Sequence, residues 1–451
     1  MKNSETKLSV REKVGYALGD TASHFVWDMV GFWILIFYTD TFGISPAAAG
    51  TIMLIARAWD MASDPIMGII ADRTKSRWGK FRPYILWMAL PYSVLAILTF
   101  TTPDLGPTGK VIYAGVTYLL LMTVFTAINL PYSSLGAVMT ADSYERAGLN
   151  SYRFVFAFIG QLIVSGTALS LALFFGKGDS EKGYQLTLVL FAVISFILFM
   201  ITFSSTKERV QPPKAQKESI KEDFLNLFKN RPWVILFFVG IISFIMFAMQ
   251  NLSIAYYFKY YIGKEENVQL FNIIGTVALI VAIPFSKPLA KRFGKRNVFL
   301  ASSLLSGLFF MLLYLPGINN IVTIYGLNIL AKMSYAPAVP LLWTMLADTA
   351  DYSEWKTGRR STGLTFSAAT FAQKAGWGIG GALAGWLLAA FHFTPNVEQT
   401  ESAITGIKLM ISVFPGFLYM SCAILLFFYS IDHKTCLIMQ EELDARRLKE
   451  Q

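Results

Sequence analysis

Twelve stretches of mostly apolar residues divide this chain, at about 14–42, 46–71, 83–101, 109–139, 152–175, 184–205, 233–262, 267–289, 297–316, 319–347, 361–391 and 405–431. A helix needs about 20 such residues to cross a bilayer, where every backbone N–H and C=O must be satisfied within the segment. The pattern predicts an all-α membrane protein with twelve transmembrane helices. Charged residues are 15% of the 451, against about 25% in soluble domains. The net charge of +10 does not point to nucleic acid, because Lys and Arg gather in the loops at 72–82, 206–232 and 287–296. The loops at 40–47, 102–108 and 317–319 hold none. That alternation predicts cytoplasmic termini. The polar opening, MKNSETKLSVREK, lacks the pattern of a cleavable signal. Cys422 and Cys436 alone cannot build a disulfide framework or a multi-cysteine metal site. His24, His392 and His433 are far apart in the chain.

The two halves resemble each other. Arg77-Trp78-Gly79-Lys80 is answered by Arg292-Phe293-Gly294-Lys295, Ala141-Asp142 by Ala347-Asp348, and Gly43 by Gly263, in the same order and at offsets near 210 residues. A duplicated six-helix unit follows, the plan of the major facilitator fold. The expected parts are an N-terminal bundle, 1–205, a cytoplasmic linker, 206–232, a C-terminal bundle, 233–431, and a cytoplasmic tail, 432–451. An amphipathic surface helix over 217–228 is an alternative to a plain linker.

Charges inside the apolar runs carry the functional signal. Arg57, Asp60 and Asp64 lie within the second run, where a charge costs at least about 2.5 kcal/mol and usually marks an ion or substrate path. Asp60 and Asp64 are one turn apart and share a helix face, which suits a small cation or a proton. Arg57, three residues before Asp60, can also neutralise it. Asp20, His24 and Asp28 form an i, i+4, i+8 stripe in the first run. They either hydrogen-bond the hydroxyls of a polar substrate or form an internal polar network. Tyr132 and Trp377 are among the aromatics able to stack on the apolar face of a substrate. Lys332 receives no role. At the basic loops, Asp72, Arg73, Arg77 and Arg146 with Asp348 and Asp351 are candidate cytoplasmic gate partners, as is Arg57. The alternative for the loop cations is topology alone. No nucleophile motif or metal constellation suggests an enzyme.

Longer motifs carry a family resemblance. Tyr38-Thr39-Asp40, Ala56-Arg57-Ala58-Trp59-Asp60, Ser63-Asp64-Pro65-Ile66-Met67-Gly68, Ser76-Arg77-Trp78-Gly79-Lys80-Phe81-Arg82-Pro83 and Asn129-Leu130-Pro131-Tyr132 resemble the glycoside–pentoside–hexuronide:cation symporters. Glu145-Arg146, Arg153-Phe154, Asp351-Tyr352 and Lys374 extend the likeness over nearly the whole chain. It implies sugar import by alternating access, coupled to Na+ or H+, in the bacterial inner membrane, with no cofactor. An exchanger or exporter of the same fold is the other expectation. The resemblance places the cation on Asp60, Asp64, Thr126 and Asn129. Asn129 stands where an aspartate is known in the family, leaving the ion open. Four oxygen ligands favour sodium, whereas one buried carboxyl suffices for a proton. Arg153 and Lys374 match family positions that face sugar, Arg153 having a cytoplasmic gate as its alternative and Lys374 a structural ion pair. His24 and Asn129 replace acids there. A less negative pocket is expected, tolerant of acidic sugars. A sugar, the lipid bilayer and no nucleic acid are the expected partners, and the expected state is a monomer.

Overall fold

The computed structural model describes residues 8–140, 143–209, 227–318, 320–358, 362–432, 434–436, 438–439 and 441–443. Among them there is helix and no strand. Two compact units form. One comprises Met1–Ala215 with Glu265–Leu270 and Leu388–Gln399; the other comprises Gln216–Lys264, Phe271–Leu387 and Thr400–Gln451. Residues 217–226 of the linker lie outside the described residues.

In the first unit, α1 (Val10–Ile36) opens on a capping box in which Ser9 and Glu12 satisfy each other's backbone N–H. It closes in a π-helical turn, Phe37–Thr41, followed by Gly43 at φ +77°. Then come α2 (Pro46–Arg73), α3 (Arg82–Thr99), α4 (Pro107–Met139), α5 (Ser143–Gly176) and α6 (Ser180–Ser205). Ser45 and Asp179 cap α2 and α6 with side-chain oxygens. The second half repeats the plan. Helix α7 (Arg231–Tyr256) also closes in a π turn, Tyr257–Ile262, and then Gly263 at φ +73°. Helix α8 (Asn267–Ala282) passes through a 3-10 turn at Pro284 into α9 (Ser286–Phe293). The rest are α10 (Lys295–Leu312), α11 (Ile321–Tyr335), α12 (Ala338–Thr357), α13 (Thr362–Ala390), α14 (Glu401–Ile411) and α15 (Val413–Phe427).

Each of the twelve expected segments overlaps helix, those at 319–347 and 405–431 with a break at Ala336–Pro337 and at Ser412. Among the described residues eight helical runs are long and apolar enough to cross a membrane. The others owe their shortfall to chemistry. Helix α2 carries Arg57, Asp60 and Asp64, α13 carries Lys374 among its glycines, and α3 and α10 have 18 residues each, with Arg82 or Lys295 and Arg296 at the start. Two boundaries differ from the sequence reading by more than two helical turns. Helix α5 starts at Ser143 rather than near 152, and α12 runs to Thr357 rather than 347. Charged residues end an apolar window but leave the backbone ladder intact.

The two turns after the second and eighth segments are built alike. Gly79 sits at φ +107° and Gly294 at φ +81°, conformations open chiefly to glycine. Just beyond, Arg82 donates from Nη2 to the Phe203 carbonyl at 2.7 Å, and Arg296 donates from Nε to Leu426 O at 3.1 Å and from Nη2 to Phe427 O at 2.5 Å. In each half an arginine thus satisfies the orphan carbonyls that end the last helix.

In the first half Glu208 completes the joint. Its carboxylate accepts from the backbone N–H of Lys80, Phe81 and Arg82 at 2.8, 2.7 and 2.9 Å, the open donors before and at the start of α3. Gly79 is needed there as well, because a Cβ would lie 2.5 Å from the Glu208 carboxyl carbon. Glu208→Ala should lose about 1–3 kcal/mol of stability and lower the thermal unfolding midpoint in detergent. Glu208→Gln, keeping one acceptor oxygen, should fall between; equal midpoints for all three proteins would refute the cap.

Candidate functional site

Asp60 is fully buried on α2. Its Oδ1 accepts from Thr126 Oγ1 on α4 at 2.5 Å, and its Oδ2 lies 3.6 Å from Arg57 Nη1. The Arg57 guanidinium is buried as well and lies 4.2 Å over the Trp27 ring. Trp27 in turn stacks on Phe125 of α4 at 4.4 Å. One carboxylate, one hydroxyl, one guanidinium and two rings thus join α1, α2 and α4. Trp59 Nε1 also donates to Thr123 Oγ1 at 2.8 Å. These two links, 59 to 123 and 60 to 126, set α2 against α4. One turn further along each helix come Asp64 and Asn129, both half-buried. Ser133 Oγ lies 3.5 Å from Asn129 Oδ1. The four residues offer oxygen donors only, the kind a hard cation takes. Trp27 and Phe125, which shape this site, carry no charge, and in the sequence they are two aromatics among many.

The polar stripe of α1 resolves into two pairs. His24 Nδ1 lies 2.9 Å from Asp28 Oδ2 on the same helix. Arg153 Nε on α5 donates to Asp20 Oδ2 at 2.7 Å. The partner of Asp28 is therefore an imidazole one turn back on its own helix. The Arg153 guanidinium also lies 5.4 Å from the Tyr132 ring centre. Tyr132 stacks on Tyr16 at 4.7 Å, and the two exchange hydrogen bonds from hydroxyl to backbone carbonyl, at 2.8 and 3.3 Å. Small residues allow this packing. A Cβ on Gly19 would meet the Tyr132 ring at 2.5 Å, and one on Gly160 would meet His24 Cβ at 3.0 Å. Tyr132 is fully buried, so in this arrangement its faces serve Tyr16 and Arg153.

In the second unit Lys374 is half-buried on α13, three residues before Trp377, whose ring meets Phe247 edge-on at 5.4 Å. Lys332 on α11 lies between Phe247 and Phe310, 5.7 and 5.8 Å from their centres. Asp348 receives Lys295 Nζ on both oxygens, at 2.8 and 2.7 Å, while Asp351 is half-buried one turn on. Of the expected gate residues, Arg73 and Arg77 are exposed, Arg77 lying over Trp78 at 4.2 Å. The side chains of Asp72 and Arg146 lie outside the described residues, as do Asp142 and His433. Acids near the loops have lysine partners close by: Asp348 has Lys295, and Glu145 has Lys13 at 2.8 Å. Lys13 stands just ahead of the first apolar run and was assigned no part by the sequence.

With this geometry in view, comparison with known proteins places the chain. Residues 15–433 match the family described as MFS/sugar transport protein. The chain belongs to that family of sugar transporters. Among relatives of the MFS/sugar transport family, the inner membrane symporter YicJ of Escherichia coli (strain K12) is 34% identical over 98% of this chain and 96% of its own length. The isoprimeverose transporter of Lactiplantibacillus pentosus is 35% identical over 93% and 88%. A solved bacterial homolog of the human lysosomal transporter Spinster, inward-facing, superposes with a TM-score of 0.68 at 13% identity, covering 95% of this chain and 97% of that one. That likeness concerns the fold, the major facilitator fold. The protein is a multi-pass membrane transporter with a small-molecule sugar substrate, and not an enzyme.

Proposed function

We propose that this transporter imports a glycoside, pentoside, hexuronide or small oligosaccharide together with a cation, across the inner membrane of a bacterium, working as a monomer. The observation that carries the proposal is the buried Asp60, engaged by Thr126 and Arg57 where no charge is cheap. In this reading Asp60, Asp64, Thr126 and Asn129 hold the cation, sodium being favoured by an all-oxygen donor set. Arg57 offsets Asp60 while the site is empty. Cation binding changes the charge beside α1, so each ligand raises affinity for the other. His24, Asp28, Asp20, Asn129, Arg153, Lys374, Trp377 and Tyr132 are the residues proposed to meet the sugar. Arg57, Asp72, Arg73, Arg77, Arg146, Asp348 and Asp351 are proposed to bias opening towards the cytoplasm. Asp20 already has Arg153 as a partner and Asp28 has His24, which offsets part of the negative charge along α1 and supports the expectation that acidic sugars are tolerated.

Uptake of labelled sugars into proteoliposomes, with a sodium or a proton gradient imposed separately, tests this. A panel of isoprimeverose, a methyl xyloside and a phenyl glucuronide covers neutral and acidic substrates. Uptake driven by sodium, lost in Asp64→Asn, is the expected result. Drive by a proton gradient alone would keep symport and replace the ion. Uptake that needs neither gradient and survives in Asp64→Asn would refute coupling at this site. A glucuronide that fails to compete with a transported neutral glycoside would refute tolerance of acidic sugars.

A further inference from the structure

We propose that His24 and Asp28 form a proton-binding site of their own, separate from the oxygen cluster on α2 and α4, whose charge state sets how the transporter grips its sugar. This rests on the reading of α1 as sugar-facing, and does not depend on which ion binds at Asp60.

The geometry is that of a hydrogen-bonded imidazole–carboxylate pair. His24 Nδ1 and Asp28 Oδ2 are 2.9 Å apart. The Asp28 side chain is 8% exposed and that of His24 28%, so the carboxylate is sealed while the imidazole has an open edge. A carboxylate at Nδ1 holds the proton on that nitrogen. Nε2 is then an acceptor while the ring is neutral and a donor once it is an imidazolium. One proton thus reverses the hydrogen bond offered to a sugar hydroxyl and takes the pair from one negative charge to none. Packing limits the ring's escape, since Gly160 on α5 brings its backbone close to His24 Cβ.

Among the described residues the surrounding helices bring no charge that does the same job. Asp20, one turn back on α1, and Arg153 of α5 are the other charged groups acting on His24, and they are paired with each other at 2.7 Å. Tyr92 of α3 turns its hydroxyl to Ser23 O at 3.2 Å, and Ser195 of α6 donates to Ala22 O at 2.8 Å. Tyr132 of α4 donates to Tyr16 O, and Arg57 of α2 lies on Trp27 beside Asp60. A proton on His24 therefore changes the local charge by a full unit. Groups coupled this closely titrate as a pair.

The test reads the proton directly. The chain has three histidines, so 15N-histidine labelling of the whole protein in nanodiscs gives few signals, and the one lost in His24→Gln identifies His24. From pH 5 to pH 9 that signal should pass from imidazolium to imidazole. In Asp28→Asn the imidazolium-to-imidazole ratio at pH 7 should fall about tenfold, because the anion beside the ring is gone. Asp28→Glu, which keeps a carboxylate, should largely retain it. A His24 signal constant over the range, or a titration unchanged in Asp28→Asn, overturns the proposal. Thermal midpoints of the variants show that they fold. The reading needs no sugar, so it stands or falls apart from the uptake panel: lack of uptake overturns symport, and a silent His24 overturns the proton site.

Discussion

Asp60→Asn should abolish gradient-driven sugar accumulation, lowering it at least about a hundredfold, to the level of protein-free vesicles. The carboxylate is fully buried between Thr126 and Arg57. Removing one member of a buried pair costs about 3–5 kcal/mol, largely because the other charge is left alone, and each 1.4 kcal/mol is a factor of ten in affinity. Two explanations of such a loss can be told apart. If Asp60 serves only to neutralise Arg57, then Arg57→Gln together with Asp60→Asn removes both charges and should restore uptake. If Asp60 is a cation ligand, the double variant stays inactive while its thermal midpoint recovers. The coupling term of this cycle, measured in both uptake and stability, separates the roles. Accumulation by Asp60→Asn at the wild-type level would refute both.

Gly380→Val should yield almost no folded transporter. A Cβ at Gly380 would lie 2.5 Å from the Ile245 carbonyl oxygen and 2.8 Å from Ala248 Cβ, and one at Gly376 would lie 2.7 Å from Ile241 O. The obstacle in both places is the backbone of α7, which cannot swing aside as a long side chain can. The two glycines are four residues apart on one face of α13, the spacing that lets membrane helices touch. Overpacking costs typically about 1–3 kcal/mol, and a branched side chain against backbone belongs at the upper end or beyond. Gly326 on α11 has open space around it, so Gly326→Ala is the control and should behave as wild type. Size-exclusion profiles and thermal midpoints in detergent decide the matter: a monodisperse Gly380→Val with the wild-type midpoint would mean that α7 and α13 are not in close contact.

Hydropathy and spacing carried much of this molecule, and their limits have physical causes. Apolar length alone locates the helices, because the bilayer leaves the backbone few other choices. It misses the extensions of α5 to Ser143 and α12 to Thr357, and the breaks at Ala336–Pro337 and Ser412. Helix continuity there depends on backbone bonding rather than on side-chain polarity. Spacing within one helix also reads well. Arg57 with Asp60 and His24 with Asp28 are i, i+3 and i, i+4 neighbours, and both pairs form. Spacing between helices does not. Asp20 and Arg153 are 133 residues apart, and nothing in either segment says that α1 lies against α5. Glu208 sits in a stretch that looks like plain linker, yet it holds three backbone donors of the turn before α3. The basic loop at 73–82 reads as a source of topology and gating; that Arg82 within it also grips the end of α6 is visible only in the fold.

The arginine grip occurs twice, at Arg82 on Phe203 and at Arg296 on Leu426 and Phe427. The chain therefore carries an internal control for its own mutagenesis. A change made at one copy can be repeated at the other, in the same membrane, at the same expression level and against the same background. What Arg82→Ala and Arg296→Ala share reports on the joint as a piece of architecture. What they do not share reports on the half in which it sits, one carrying the buried Asp60 and the other Lys374. The cost of holding a helix end can thus be subtracted from the cost of losing a function within a single polypeptide.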